Sequence, residues 1–253
     1  MNERNGKRGL LSWGLIIGFF AALIFAACGS GNNGTETEWE SSSSVGISSS
    51  SVVVSSSGVK AQSSSSVSGS ISSGALCTNT YGTNTVTDCR DGQTYKTVVI
   101  GTQTWMAENL NYAVDSSWCY ENSADSCAKY GRLYTWTRAM GACPAGWHIP
   151  TNAEWTTLET AVGGEDVAGT KLKSARGWYK DGNGTDAYGF SALPAGDRIL
   201  SGDFVSVGLS TDFWSATEGV TSKAYYWCLL YNYANMITDN YLTFAISVRC
   251  VQD

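Results

Sequence analysis

The chain has 253 residues, with 16 Lys and Arg against 22 Asp and Glu, a net charge of −6 and a single histidine. The length allows one or two domains and a sizeable buried core. The acidic balance argues against a nucleic-acid partner, which needs clustered Lys and Arg, and one histidine excludes His-rich zinc sites.

At the start, Arg4, Lys7 and Arg8 face only Glu3, and no charged residue occurs from Leu10 to Ala27. A basic start, an apolar stretch and the small residues Ala26-Ala27 before Cys28 describe an export signal over residues 1–27. The ending Phe25-Ala26-Ala27-Cys28 resembles the bacterial lipobox, with Phe25 where Leu is usual. That resemblance implies cleavage before Cys28 and lipidation on it, so that the chain is tied to a membrane through its lipid. Gly29 after the cysteine implies, by the same analogy, the outer membrane and the cell surface. The alternative is an uncleaved anchor, since the apolar run nearly spans a bilayer. Both readings place everything beyond Cys28 outside the cytoplasm, given the basic residues on the inner side.

Residues 28–73 read as a tether. Within 41–73 there are 19 serines in 33 positions and no aromatic residue. Such a segment buries too little surface to offset the entropy of ordering and is expected to be disordered. A flexible coil of this length has a mean span of about 40 Å. Its serines are also acceptors for glycosylation.

Composition changes abruptly at the domain expected over 74–253, which holds eight of the ten Trp, all thirteen Tyr, 12 basic and 18 acidic residues. Thr94–Ile100 reads as a β-branched strand, turned by Gly101 into a second run from Gln103 to Leu110. The periodicity of Leu133, Trp136, Ala139 and Met140 predicts a helix over 133–141. A second helix is predicted after Pro150, where Thr151 and Glu154 form a capping box and Gly163-Gly164 end the segment. Phe213–Ser215, Ala224–Tyr231 and Leu242–Val251 are the predicted later strands. Two helices, short antiparallel strands and long loops indicate an α+β domain whose terminal strands pair.

Several strings resemble the Fibrobacter succinogenes major paralogous (FISUMP) domain. They are Asp91–Val98, Trp105–Tyr112, Tyr130–Trp136, Cys143–Thr151, Gly182–Asp186, Gly189–Gly196, Phe213–Glu218 and Ser247–Val251, in that order over about 165 residues. The pattern is similar to the C-type lectin-like and formylglycine-generating-enzyme superfamily, which implies a C-type-lectin-like fold. Setting Cys28 aside leaves seven cysteines, which permit 105 ways of forming three bridges. Proximity and the family pattern select Cys77–Cys89, Cys119–Cys127 and Cys143–Cys250. Cys228, in an apolar strand without a basic neighbour, is then expected to be a buried free thiol.

No catalytic set stands out. His148 lies in a Pro-bounded turn, where a structural role is expected, and no copper-binding cysteine pair can be placed. Nothing in the spacing of Glu108, Glu154, Glu159 and Glu218 selects a pair for glycoside hydrolysis. Asp181, Asn183 and Asp186 put three oxygen-bearing side chains on a glycine-rich loop, a calcium candidate, although a tight turn explains the same residues. Tyr and Asn crowd the last third, and this pairing dominates adaptable recognition surfaces. Trp118, Tyr226, Tyr231, Asn232 and Tyr233 are accordingly the candidate ligand-binding residues, with polysaccharide or another surface protein as the expected ligand. A cell-envelope enzyme and a purely structural envelope protein remain the alternatives.

Overall fold

The computed structural model describes residues 77–219, 223–241 and 245–253. The export signal, Cys28 and the Ser-rich segment lie outside the described residues. Among the described residues no helix is long and apolar enough to cross a membrane.

The domain is α+β. One sheet is built from β1 (Thr80–Gly82), β2 (Thr85–Thr87), β3 (Thr94–Ile100), β4 (Gln103–Met106), β7 (Trp147–His148) and the last strand, β14 (Val251–Gln252). As expected, Gly101 turns β3 into β4: it has φ 61°, and Ile100 pairs with Gln103. The second run stops at Met106, sooner than expected. The chain then leaves the sheet, with the Leu110 amide donating to Val248. Val251 pairs with both Trp105 and His148, so the end of the domain is built into the sheet that begins it.

The second sheet contains β5 (Ser117–Trp118), β6 (Leu133–Thr135), β8 (Asp197–Arg198), β9 (Phe204–Val205), β10 (Ser210–Glu218), β11 (Ala224–Leu230), β12 (Ile237–Tyr241) and β13 (Ala245–Ser247). Both faces of β10 and β11 are covered. Trp214, Tyr226, Cys228 and Leu230 pack into one core, and Phe213, Trp227 and Leu229 into another with Trp105, Trp155 and Phe190. The alternation along Tyr225–Leu230 follows the expected strand period. Because each face meets a core, aromatic residues there are consumed by packing.

The helices are α1 (Ala124–Tyr130), the one-turn α2 (Trp136–Ala139), α3 (Asn152–Ala161) and α4 (Glu165–Leu172). The α3 prediction is met in detail: the Thr151 hydroxyl accepts from the Glu154 amide at 3.3 Å, and the Glu154 carboxylate accepts from the Thr151 amide at 2.7 Å. The helix expected over 133–141 is corrected, since Leu133–Thr135 is strand and only Trp136–Ala139 is helical. Its apolar spacing was produced by a strand edge meeting one helical turn. Helices α1 and α4 carried no strong apolar period; α4 is held by a neighbouring turn, with Thr170 donating to Ala234 at 2.8 Å.

The three expected disulfides are present: Cys77–Cys89, Cys119–Cys127 and Cys143–Cys250. The last ties the segment before β7 to the residue preceding β14. Cys228 is fully buried, as expected, but it is disulfide-bonded, which corrects the reading of a free thiol.

Candidate functional site

Two segments about fifty residues apart in sequence meet at a shallow groove of about 520 Å³. One is the loop 180–183 after Tyr179, and the other is the turn 231–234 between β11 and β12. Their meeting is fixed by consecutive carbonyls. Gly208 accepts from the Tyr179 amide and Leu209 from the Tyr231 amide, each at 2.8 Å. The two rings then stand edge to face with centroids 5.5 Å apart, a favourable aromatic geometry.

Glycine makes the approach feasible through space rather than through turn conformation. A Cβ on Gly182 would lie 2.5 Å from the Tyr231 carbonyl oxygen, and one on Gly184 would lie 2.3 Å from that of Lys173. A Cβ on Gly169 in α4 would lie 2.3 Å from the Asn235 carbonyl oxygen. The Asp-Gly-Asn-Gly string is therefore a packing device that seats one loop on the other.

Beneath the groove, Lys173 is 3% exposed. Its ammonium donates to the carbonyls of Leu230 at 2.9 Å, Tyr231 at 3.4 Å and Tyr233 at 2.9 Å. Burial pulls the amine down to about 8, while three carbonyl acceptors favour the charged form. The lysine thus holds the turn that carries the tyrosines. Above it, Tyr179 is 50% and Tyr233 37% exposed, with Asn232, Asn183, Lys180 and Asp181 also exposed.

Of the residues expected to bind ligand, Tyr231, Asn232 and Tyr233 line this groove together. Tyr226 does not: it is 3% exposed and belongs to the core. Trp118 lies elsewhere, packed with Phe204 beside the Tyr120 cluster, with the Arg198 guanidinium 4.2 Å from its ring centroid. The expected metal trio is divided. Asp181 and Asn183 line the groove, but the Asn183 side-chain oxygen already accepts from the Trp178 amide. Both Asp186 oxygens accept from Ser191. Among the described residues, no three His, Cys, Asp or Glu side chains gather as a metal-holding group.

Sequence reasoning missed Tyr179 and Lys173. Tyr179 lies two residues before the flagged Asp181, so its position was a usable signal. Lys173, a lone lysine between Leu172 and Ser174, gave none.

A second cavity, about 490 Å³, is lined mainly by the strings that carry the family resemblance. Arg249 forms its buried floor and donates to Asn109 and to the carbonyls of Met106 and Phe190. Burial lowers its pKa, with Glu108 and Asp186 opposing the shift, and the guanidinium remains charged at neutral pH. It ties three chain segments together. Glu108, a residue weighed for hydrolysis, accepts from the Lys96 amide and faces the Lys96 ammonium.

Both ring nitrogens of His148 meet carboxylates. Its Nε2 meets Glu154 at 2.8 Å and its Nδ1 meets Asp253 at 2.6 Å. Burial lowers its pKa, but the two carboxylates outweigh burial and the net shift is upward.

The model of the Fibrobacter succinogenes major domain matches residues 98–252. The chain belongs to that family. Every segment of the domain from β4 onward, including both loops of the groove, falls within the matched residues. Membership of the Fibrobacter succinogenes major domain family points to a surface or extracellular protein. No curated protein and no solved structure matches the chain.

Proposed function

We propose that this is a surface-anchored lipoprotein of the outer membrane whose domain binds extracellular polysaccharide in the tyrosine groove. The observation that carries the reading is the pairing of Tyr179 with Tyr231 beside exposed Tyr233, Asn232 and Asn183. Sugar rings present flat C–H faces to aromatic rings and hydroxyls to amides, and this rim offers both. Tyrosine supplies rigid contact area at low entropic cost. The open groove suits an extended chain passing across it. Another surface protein is the rival ligand for the same rings.

The basic start, apolar run and Ala-Ala-Cys ending support export and lipidation at Cys28, and the serine-rich segment supports a tether that holds the domain off the membrane. A C-type-lectin-like arrangement is supported by the terminal strand entering the first sheet and by the Cys143–Cys250 staple.

The binding reading is tested by retention of the exported chain on insoluble polysaccharides, with Tyr231→Ala and Tyr233→Ala as comparisons. Retention that both variants weaken supports it; equal retention of all three places any binding elsewhere. Mass spectrometry of the N-terminal peptide tests the anchor. Diacylglyceryl-modified Cys28 is expected, whereas an unmodified Cys28 would overturn it.

A further inference from the structure

The cavity of about 490 Å³ floored by Arg249 shares no lining residue with the tyrosine groove. Four basic residues line it, Lys96, Lys129, Arg176 and Arg249, against two acidic ones, Glu108 and Asp186. Both acids are already engaged within the fold. Glu108 accepts from the Lys96 amide at 2.8 Å and lies 3.7 Å from the Lys96 ammonium. Asp186 accepts from the Ser191 amide at 2.8 Å and from its hydroxyl at 2.6 Å. The remaining cations are not balanced in this way. Among the described residues, Lys129, Arg176 and Arg249 form no ion pair. The Lys129 ammonium stands 4.6 Å from the Tyr130 ring centroid, a contact that leaves its charge in place. Arg249 is 1% exposed, and its guanidinium donates to neutral oxygens of Asn109, Met106 and Phe190.

Positive charge gathered in a cleft over a buried guanidinium suits an anion, because water screens the field less there than on an open surface. The walls that carry the charge are fastened. The Ser174 hydroxyl donates to the Arg176 carbonyl at 2.7 Å. The Cys119–Cys127 bridge anchors α1, and the Asn109 side-chain amide donates to the Tyr130 carbonyl at 2.9 Å, which sets the end of α1 against the segment after β4. The volume falls within the usual range of small-ligand sites, about 300–1,000 Å³, and exceeds what a lone inorganic ion fills. Gln93 and Asn111 add amides to the lining, which suit hydroxyl groups. We propose that this cavity binds a carboxylate-bearing sugar, with Arg176 and Lys129 taking the carboxylate and Arg249 supplying fixed positive charge at the floor. The tyrosine groove plays no part in it.

The test is calorimetric titration of the exported chain with galacturonate, an oligogalacturonate, a neutral gluco-oligosaccharide of equal length and inorganic phosphate. The expected result is uronate binding that exceeds binding of the neutral oligomer and of phosphate and weakens with added salt. Arg176→Gln and Lys129→Gln should each weaken it by about three- to tenfold, as partly screened charge-assisted contacts. Arg138→Gln, which removes an exposed arginine outside the cavity, should leave it unchanged. All three substitutions are at exposed positions, so the fold is retained. Equal affinity for monomer and oligomer supports the site with a free sugar acid as ligand; tighter binding of the oligomer supports it with a uronate chain. Absence of uronate binding, equal binding of the neutral oligomer or of phosphate, or an equal loss in Arg138→Gln would overturn the proposal. Retention on neutral polysaccharide reads the tyrosine groove separately, so failure of one site leaves the other to be judged on its own result.

Discussion

The Lys173 ammonium, almost fully removed from solvent, donates to the backbone carbonyl of Tyr233 at 2.9 Å. Among the described residues no carboxylate shares the contact; the other acceptors are the carbonyls of Leu230 and Tyr231. A charge in this setting is worth little as an ion but much as a three-point fastener. It fixes a turn whose side chains face solvent, which is the preorganisation that weak ligands require.

Lys173→Met keeps the aliphatic stem and removes the fastener. It leaves three carbonyls unsatisfied and should destabilise the domain by about 1–3 kcal/mol, with a larger proportional loss in polysaccharide retention. The amine also sets a pH signature. Burial lowers it to about 8 in the fold, against about 10.4 in an unfolded chain. Between those values the unfolded chain binds more protons, so this group makes stability rise with pH. Urea unfolding at pH 7, 8 and 10 should show wild type gaining on Lys173→Met as pH increases.

Gly182→Ala tests whether the groove depends on close packing. Its Cβ would collide with the Tyr231 carbonyl, at 2.5 Å, and with the Tyr231 Cβ, at 2.7 Å. The two loops must separate, at a cost of about 1–3 kcal/mol. Near-ultraviolet circular dichroism should register the loss of the Tyr179–Tyr231 arrangement, with the far-ultraviolet spectrum retained.

The Cys143–Cys250 bridge closes a separation of 107 residues. On the chain-entropy model its removal costs about 4–5 kcal/mol. A Cys143→Ser, Cys250→Ser variant should unfold at much lower urea and release β14 from Trp105 and His148. Hydrogen exchange at Val251 reads that release directly.

His148 stands between Glu154 and Asp253, and its pKa is raised. A raised histidine stabilises the fold below its unfolded value near 6.5 and loses that contribution as pH rises through its folded value. Its partners are partly exposed, so the effect should be below about 1 kcal/mol. The stability difference between wild type and His148→Gln should therefore be largest at pH 5.5–6 and shrink on moving to alkaline pH.

Much of this architecture was readable from local signals. The capping box at Thr151 and Glu154, the Gly101 turn and the alternation along β11 each depend on neighbours within four residues. The 133–141 segment misled because Leu133 serves a strand while Trp136 and Ala139 serve a helical turn, yet their spacing imitates one helix. Tyr226 misled for a different reason: strand alternation does not reveal that both faces of β11 meet a core. The groove was half legible. Tyr231, Asn232, Tyr233, Asp181 and Asn183 stood out by composition, but their meeting depends on the carbonyls of Gly208 and Leu209.

The most direct test of the central claim is retention on a panel of insoluble polysaccharides, comparing the wild-type chain with Tyr179→Ala, Tyr231→Ala and Tyr233→Ala. Truncating a central aromatic contact typically costs about 1–2 kcal/mol, or roughly 5- to 30-fold. The account predicts retention on at least one polysaccharide and losses of that size in each folded variant. Failure of the wild type to be retained on any polysaccharide, or retention that all three substitutions leave unchanged, would contradict it.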